Sequence, residues 1–483
     1  MFNFFRENKN HIEPNEEIRG HLERENPVLK EVVDGFFQLD FLLHSLGYLK
    51  KTESLTKMMS WWPVISILGT YSAGKSSFIN YYLDYPIQET GVQAVDDKFT
   101  VICYSPEKKV RVLPGFALDS DPRFPFYKIS KAIDEVLPGE GAYLDSYLQL
   151  KTCPSEKLKG KVFIDSPGFD ADEKRASILR ITDRIIDLSD LVLIFFDARH
   201  PEPGSMKDTL EHLVKTTVKR RDSNKFLYIL NQIDVTAKED NLEAVYASWQ
   251  RALVRYGVSA GKYFCIYNPI ACNVIEDPET KRRYERKRDH DLDLISKRIE
   301  DVKIERTYRL VRLLKDYVGK LKNTTLPIVS EFRDKLKKYT LILDSICFGM
   351  IFLIIQMGHL LFTDTGSGEF WIRILKGIFT SAPAFMGFLV FLLLLFGIHC
   401  AIKNKVGEIL AKKFIEDVPD KEKDNYMQCF LKNIKWYAPI FRKYPMGWNE
   451  RLVNTLNKLN SDVNLFIQKL NQEYTDPSGK NQT

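Results

Sequence analysis

Residues 69–80 read GTYSAGKSSFIN and follow a short apolar run, PVISIL, at 63–68. The stretch fits the pattern G-x-x-x-x-G-K-[ST], with Gly69, Gly74, Lys75 and Ser76 in register. Those residue types answer a physical demand. Glycines let backbone N–H groups turn inward around phosphate oxygens, a lysine reaches the outer phosphates, and a hydroxyl ligates Mg²⁺. The flanks agree. Val64 to Leu68 alternates and is β-branched, as a buried strand should be, and Ser77 to Leu83 continues as a helix whose N-terminus faces the phosphates. The expected nucleotide contacts are therefore Gly69, Thr70, Tyr71, Ser72, Ala73, Gly74, Lys75, Ser76 and Ser77, with Ser76 also a metal ligand.

Working outward, short β-like runs alternate with helical stretches from about 62 to 270: PVISIL, KFTVICYS, KVFIDSP, DLVLIFFDA, KFLYILNQID and KYFCIYNP. Such alternation predicts an α/β domain with a mostly parallel sheet. Before it, Asn26 and Pro27 read as an N-cap and first-turn proline. They lead into an apolar seam of Leu29, Val32, Phe36, Leu39, Leu43 and Leu46. After it, Leu292, Ile295, Ile299, Val302, Leu310, Leu313, Tyr317 and Leu321 lie largely on one helical face. Leu452, Leu456, Leu459, Val463, Phe466 and Leu470 repeat the pattern near the end. The economical partners for these seams are each other, in a bundle built from both ends of the chain; packing of each on its nearest neighbour is the alternative.

Two segments break the soluble pattern, LILDSICFGMIFLIIQMGHLLF at 341–362 and IFTSAPAFMGFLVFLLLLFGIHCAI at 378–402. Each exceeds the roughly 20 residues that cross a bilayer. Asp344 and His359 sit near the ends of the first, where interfacial water is expected to reach them. Basic residues crowd the outer flanks: Arg333, Lys335, Lys337 and Lys338 before, then Lys403, Lys405, Lys412 and Lys413 after. The short intervening loop carries only Arg373 and Lys376. The positive-inside rule then puts both termini in the cytosol and makes the pair a transmembrane hairpin. A re-entrant wedge and a pair of buried core helices stay open. The expected domains are N-terminal bundle helices (1–60), a nucleotide domain (61–285), a bundle helix (286–340), the hairpin (341–402) and C-terminal helices with a tail (403–483).

Composition limits the rest. The 483 residues carry a net charge of +6, too mild to imply a nucleic-acid partner. Seven cysteines are scattered without a CxxC pair, which argues for a reducing compartment and against structural zinc. Further nucleotide motifs follow in order. VFIDSPGF puts Asp165 at a strand end, where a carboxylate can hold a Mg²⁺ water, and Gly168 where its N–H can meet a γ-phosphate. YILNQID places Asn231, Gln232 and Asp234 after another strand, in the manner of the base-reading N-K-x-D of GTPases.

GTYSAGKSS resembles the phosphate loop of the dynamin superfamily, and together with DSPGF and LIFFDARHP it is most similar to the EHD and sarcalumenin branch. The order helix, GTPase, helix, hairpin, helix is similar to that of mitofusins, atlastins and bacterial dynamin-like proteins. The resemblance implies a Mg²⁺-dependent GTPase in which Ser72 aids hydrolysis beside Lys75 and Asp234 reads the base. It also implies self-association across the nucleotide face, coupled to bending, fusing or severing a lipid membrane. Two departures stand out. QAVDDKFT at 93–100 places Asp96 where a switch threonine would meet Mg²⁺, with Thr90 and Thr100 nearby but out of register. Gln232 replaces the lysine that covers the base, so an EHD-like use of ATP stays open. A nucleotide-dependent membrane scaffold with little hydrolysis is the other alternative. Two conspicuous stretches lie outside these motifs: KRRYERKR (281–288) reads as a solvated helix face, and KWYAPIFRKYPMGW (435–448) suits either a membrane interface or a loop over the bundle.

Overall fold

A computed structural model describes residues 16–90, 98–121, 124, 126, 129–136, 138–168, 175–200, 223–258, 261–362 and 367–474. The chain divides into two units, one made of Lys57–Arg309 and one made of Met1–Thr56 with Leu310–Thr483.

The first unit is built on one sheet of eight strands, ordered β3-β4-β2-β5-β1-β6-β7-β8. They are β1 Val64–Gly69, β2 Phe99–Tyr104, β3 Arg111–Pro114, β4 Leu148–Cys153, β5 Val162–Asp165, β6 Leu191–Asp197, β7 Phe226–Asn231 and β8 Lys262–Cys265. Strand β1 lies between β5 and β6 and parallel to both. β7 and β8 extend the same parallel set. Only the β2–β5 and β3–β4 pairs run antiparallel. A strand covered on both faces must be apolar on both, and β1, β5, β6 and β7 are buried along their whole length. Ile65 and Ile67 face a core shared with Phe78, Ile79 and Tyr82 of the helix Lys75–Leu83, while Val64 faces one that contains Ile181 and Ile185 of the helix Arg175–Leu188. Each such fully buried side chain contributes about 1.5–3 kcal/mol. Because β1, β5, β6 and β7 are parallel, their C-terminal ends share one sheet edge.

Two strands escape the six apolar runs. β3 is exposed throughout, and β4 (LQLKTC) carries Gln149, Lys151 and Thr152, so neither has a clean period-two signal. The helix after the phosphate loop begins at Lys75, two residues earlier than its sequence suggested, with Gly74 as its left-handed N-cap.

In the second unit, Asn26 caps the helix Pro27–Leu46 by accepting from Val28 N at 2.8 Å, and Gly47 ends it at φ 85°. The predicted seam from Leu29 to Leu46 is buried throughout, as are Leu456, Leu459, Val463, Phe466 and Leu470 of the helix Glu450–Tyr474, which packs against it. A Cβ on Gly35 would stand 2.7 Å from Leu314 Cδ2, which is why this crossing takes glycine. Lys469 pairs with Glu31 at 2.6 Å, so the two ends of the chain share one bundle. The long helix Pro278–Lys320 departs from the single expected seam. Ile295, Ile299 and Val302 bury in the sheet unit; beyond them the expected Leu310 and Leu321 are buried, but between these Val311, Leu314 and Val318 are buried rather than Leu313 and Tyr317. A π-helical stretch, Leu321–Thr325, precedes Pro327, whose missing N–H and ring an unbroken α-helix would not accommodate. Charges in the basic run at 281–288 have acidic neighbours: Arg283 meets Asp240 and Lys287 meets Asp291.

Among the described residues, two helices are long and apolar enough to cross a membrane, one ending at Leu361 and the other spanning Ala382–Glu416, and their apolar side chains are largely exposed. The segment between them is not simply a loop. It contains a third helix, Ser367–Thr380, because its aromatic and aliphatic residues recur at helical spacing and the next helix starts only at Ala382, after the N-cap Ser381 and with Pro383 in its first turn. Nor does water reach Asp344 and His359, which are buried. His399 Nδ1 lies 2.7 Å from Asp344 Oδ2 across the two long helices, and the His359 ring stacks on Phe370 at 4.1 Å.

Candidate nucleotide site

Four strand ends meet at the sheet edge: Gly69 of β1, Asp165 of β5, Asp197 of β6 and Asn231 of β7. The loop between β1 and its helix is drawn tightly over them. A Cβ on Gly74, which sits at φ 83°, would fall 2.2 Å from Asn231 Nδ2, so both backbone angle and space exclude a side chain there. Asn231 Nδ2 donates to Ala73 O at 2.9 Å and fastens the loop from below. Lys75 is buried, with its ammonium on the carbonyls of Gly69 (3.1 Å) and Thr70 (3.0 Å). Gly168 closes the other wall, since a Cβ there would meet Tyr71 Cβ at 2.9 Å.

Ser72 stands at φ 57°, a left-handed angle that costs a non-glycine residue roughly 1–2 kcal/mol. Two donors hold it there. Gln232 Nε2 reaches Ser72 O at 2.6 Å, and Arg199 Nη2 reaches the same carbonyl at 3.2 Å. Arg199 is itself clamped by Asp197, from Nη2 to Oδ2 at 2.6 Å, and this bond pushes the guanidinium pKa still higher. Gln232 also takes a left-handed angle, φ 62°.

At the candidate metal position, Ser76 Oγ lies 3.1 Å from Asp165 Oδ2, and Gln88 Nε2 donates to the same oxygen at 2.7 Å. Lys151 Nζ donates to Gln88 Oε1 at 2.7 Å, which completes a buried chain behind the carboxylate. Among the described residues no cluster of three or more His, Cys, Asp or Glu is poised for a metal. Mg²⁺ does not require one, because it takes one or two carboxylates and completes its shell with phosphates and water. The adjacent hydroxyl and carboxylate fit that ion. Thr100, one of the two substitute threonines, is fully buried and accepts from Gln149 Nε2 at 2.8 Å. Asp96 lies outside the described residues.

On the base side, Asp234 Oδ2 accepts from Asn273 N (2.8 Å) and Asn273 Nδ2 (3.0 Å), and Asn268 Nδ2 donates to Ser77 Oγ at 2.7 Å. The sheet edge thus gathers the sequence-derived residues that are described, and adds Gln88, Lys151, Arg199, Asn268 and Asn273. Only Arg199 had a visible signal, in the DARHP stretch; the others are single polar residues in unremarkable loops and in β4.

Residues 65–233 match the Dynamin family. Human EH domain-containing protein 1 is 26% identical over 182 residues, which cover 36% of this chain and 31% of that protein. Rat EH domain-containing protein 3 is 25% identical over the same length, with the same coverage. The match thus spans about a third of the length of these relatives. Two solved structures are similar more loosely. One is an oligomerised bacterial dynamin pair, at 15% identity and a TM-score of 0.34, covering 85% of this chain and 80% of that one. The other is the LeoA bacterial dynamin GTPase from ETEC, at 12% identity and a TM-score of 0.32, covering 92% and 88%. Phosphate loop, strand-end carboxylate and the asparagine at the end of β7 lie on one parallel sheet edge within residues 65–233, the span that matches the Dynamin family, and the chain is similar over 182 residues to the EH domain-containing proteins.

Proposed function

We propose that this chain hydrolyses GTP while anchored in a membrane by the helices at 341–402, with both termini in the cytosol, and that nucleotide-dependent self-association remodels that membrane. The observation that carries the enzymatic part is the pairing of Ser76 with Asp165 beneath the loop that Lys75 and Asn231 hold closed. Lys75 and the loop amides bind the phosphates, and the Ser72 hydroxyl orients water and meets developing charge. Ser76 and Asp165 hold Mg²⁺, which when bound neutralises charge on the outer phosphates. The work is positional and electrostatic rather than covalent. Asn231 secures the loop, Asp234 accepts from the guanine ring N–H groups, and Gln232 supports Ser72 in place of covering the base. The membrane part is supported by two long helices whose apolar stretches are largely exposed among the described residues.

A second reading, a nucleotide-dependent scaffold with slow turnover, is favoured by one observation. Thr100 is fully buried with its hydroxyl engaged by Gln149, and so is poorly placed to serve as the switch threonine.

The test is turnover of GTP and of ATP by full-length protein in detergent and after reconstitution into liposomes, with Lys75→Ala as control. Turnover specific to GTP, lost in Lys75→Ala and rising with protein density on the liposome, is the expected result. Preference for ATP would move the chain to the EHD-like mode. Tight binding without turnover in either state would leave the scaffold.

A further inference from the structure

The nucleotide cycle gives no task to the strap KWYAPIFRKYPMGW, residues 435–448, which links the helices Lys423–Ile434 and Glu450–Tyr474. It is firmly pinned. Lys403, only 1% exposed, donates from Nζ to Lys435 O (2.7 Å) and Ala438 O (2.6 Å), Asn433 Oδ1 accepts from Met446 N at 2.8 Å, and Trp448 is fully buried. Yet three of its large aromatic side chains point out: Trp436 is 69% exposed, Tyr437 47% and Phe441 74%. Rings held outward by a rigid backbone are characteristic of a surface that meets a membrane interface.

Between the strap and the two long apolar helices lies a shallow cleft whose charged lining is wholly basic: Arg333, Lys337, Lys403 and Arg442. Arg333 Nη1 is buried without a hydrogen-bond partner among the described residues, while its Nη2 is taken by Asp334. Lys403 has used two of its three protons on carbonyls. Lys337 Nζ stands 5.4 Å from the centre of the Phe441 ring, which ties the cationic wall to the aromatic strap. The cleft has room for about one water-sized group, so a single phosphate oxygen would enter it and the rest of the headgroup would stand outside its mouth. Depth along the helix fits as well. The exposed apolar surface begins at Ile342 and Leu343, about 8 Å of helix beyond Lys337.

We infer that this cleft recognises a phosphomonoester, presented by an anionic lipid headgroup while Trp436, Tyr437 and Phe441 rest in the interface. The inference rests on the proposed membrane anchor for the source of the ligand, but the cleft's affinity for phosphate does not depend on it.

Full-length protein in neutral detergent is titrated with short-chain phosphatidic acid, with inorganic phosphate and with short-chain phosphatidylcholine, and binding is read by native mass spectrometry and by thermal shift. The variants are Lys337→Glu/Arg442→Glu, the milder Lys337→Gln, and Arg282→Glu as a charge control in the other unit. GTP turnover in detergent reports that each is folded. Saturable phosphatidic acid binding that weakens at least about tenfold in the double variant, less in Lys337→Gln, and not in Arg282→Glu, is the expected result. Inorganic phosphate binding as tightly as phosphatidic acid would assign the cleft to free phosphate and overturn the lipid source. Equal losses in the double variant and Arg282→Glu, or equal binding of phosphatidylcholine, would overturn the site itself. Retention of the wild type in phosphatidylcholine vesicles through alkaline carbonate tests the anchor separately.

Discussion

Gln88 donates from Nε2 to Asp165 Oδ2 at 2.7 Å, onto the same carboxylate oxygen that Ser76 Oγ meets at 3.1 Å. With Lys151 Nζ 2.7 Å behind it on Gln88 Oε1, the amide transmits the orienting effect of a buried ammonium to a candidate metal ligand. Partners that orient a metal's ligands are typically worth 10–100-fold in metal affinity. Gln88→Ala is therefore expected to raise the Mg²⁺ concentration for half-maximal turnover by about that factor, while nucleotide affinity measured in EDTA changes little. An unchanged Mg²⁺ requirement would mean that Asp165 is positioned without this chain.

Ser72 separates backbone from hydroxyl. Its left-handed φ of 57° is strained for serine and relaxed for glycine. Ser72→Gly should leave the melting temperature unchanged or slightly raised while turnover falls, and Ser72→Ala should lose turnover without that relief. Arg199→Ala removes one of the two donors to the Ser72 carbonyl and should lower turnover less than either. Full activity in Ser72→Ala would rule out a role for the hydroxyl.

Much of this was legible in the residues, for reasons that also explain what was not. The central strands are apolar on both faces, so β1, β5, β6 and β7 announce themselves, and the glycine spacing of the loop is dictated by phosphate geometry. The exposed β3 and the polar β4 carry no such pattern. Gln88 is invisible because its importance comes from Lys151, a residue 63 positions later in the sequence whose Nζ meets its Oε1 in the fold. The helix Ser367–Thr380 was hidden by the Gly-Ser-Gly at its start, which reads as a turn, and by apolar residues that continue the greasy character of their neighbours.

Asp40 predicts the stability of the helical unit. It is fully buried on the helix Pro27–Leu46 and accepts from Ser54 Oγ (2.6 Å), Leu55 N (2.8 Å), Thr56 N (3.1 Å) and Thr56 Oγ1 (2.7 Å). Removing it strands several buried donors at once, each costing about 1–3 kcal/mol. Asp40→Ala should destabilise the chain by about 2–4 kcal/mol in denaturant titration, on the expectation that part of the loss relaxes. A change under about 1 kcal/mol would show that water replaces the carboxylate.

Cysteine labelling tests the base side. Burial pushes the Cys103, Cys265 and Cys429 thiols up to about 12. Maleimide reacts with thiolate, so these should stay unlabelled in the folded protein through about pH 9. Because their folded values are raised, each contributes stability that is intact below the free-thiol value of about 8.5 and is lost as pH climbs toward 12. Cys272 is half-buried in a loop and stands next to Asn273, which holds Asp234 Oδ2 by two hydrogen bonds. If Asp234 reads guanine, GTP must cover or rearrange that loop. GTP should then slow Cys272 labelling several-fold by mass spectrometry, ATP should have less effect, and Asp234→Ala should abolish the protection. Equal protection by both nucleotides, surviving Asp234→Ala, would place base recognition elsewhere and leave Asp234 as a fastening for the loop at 268–273.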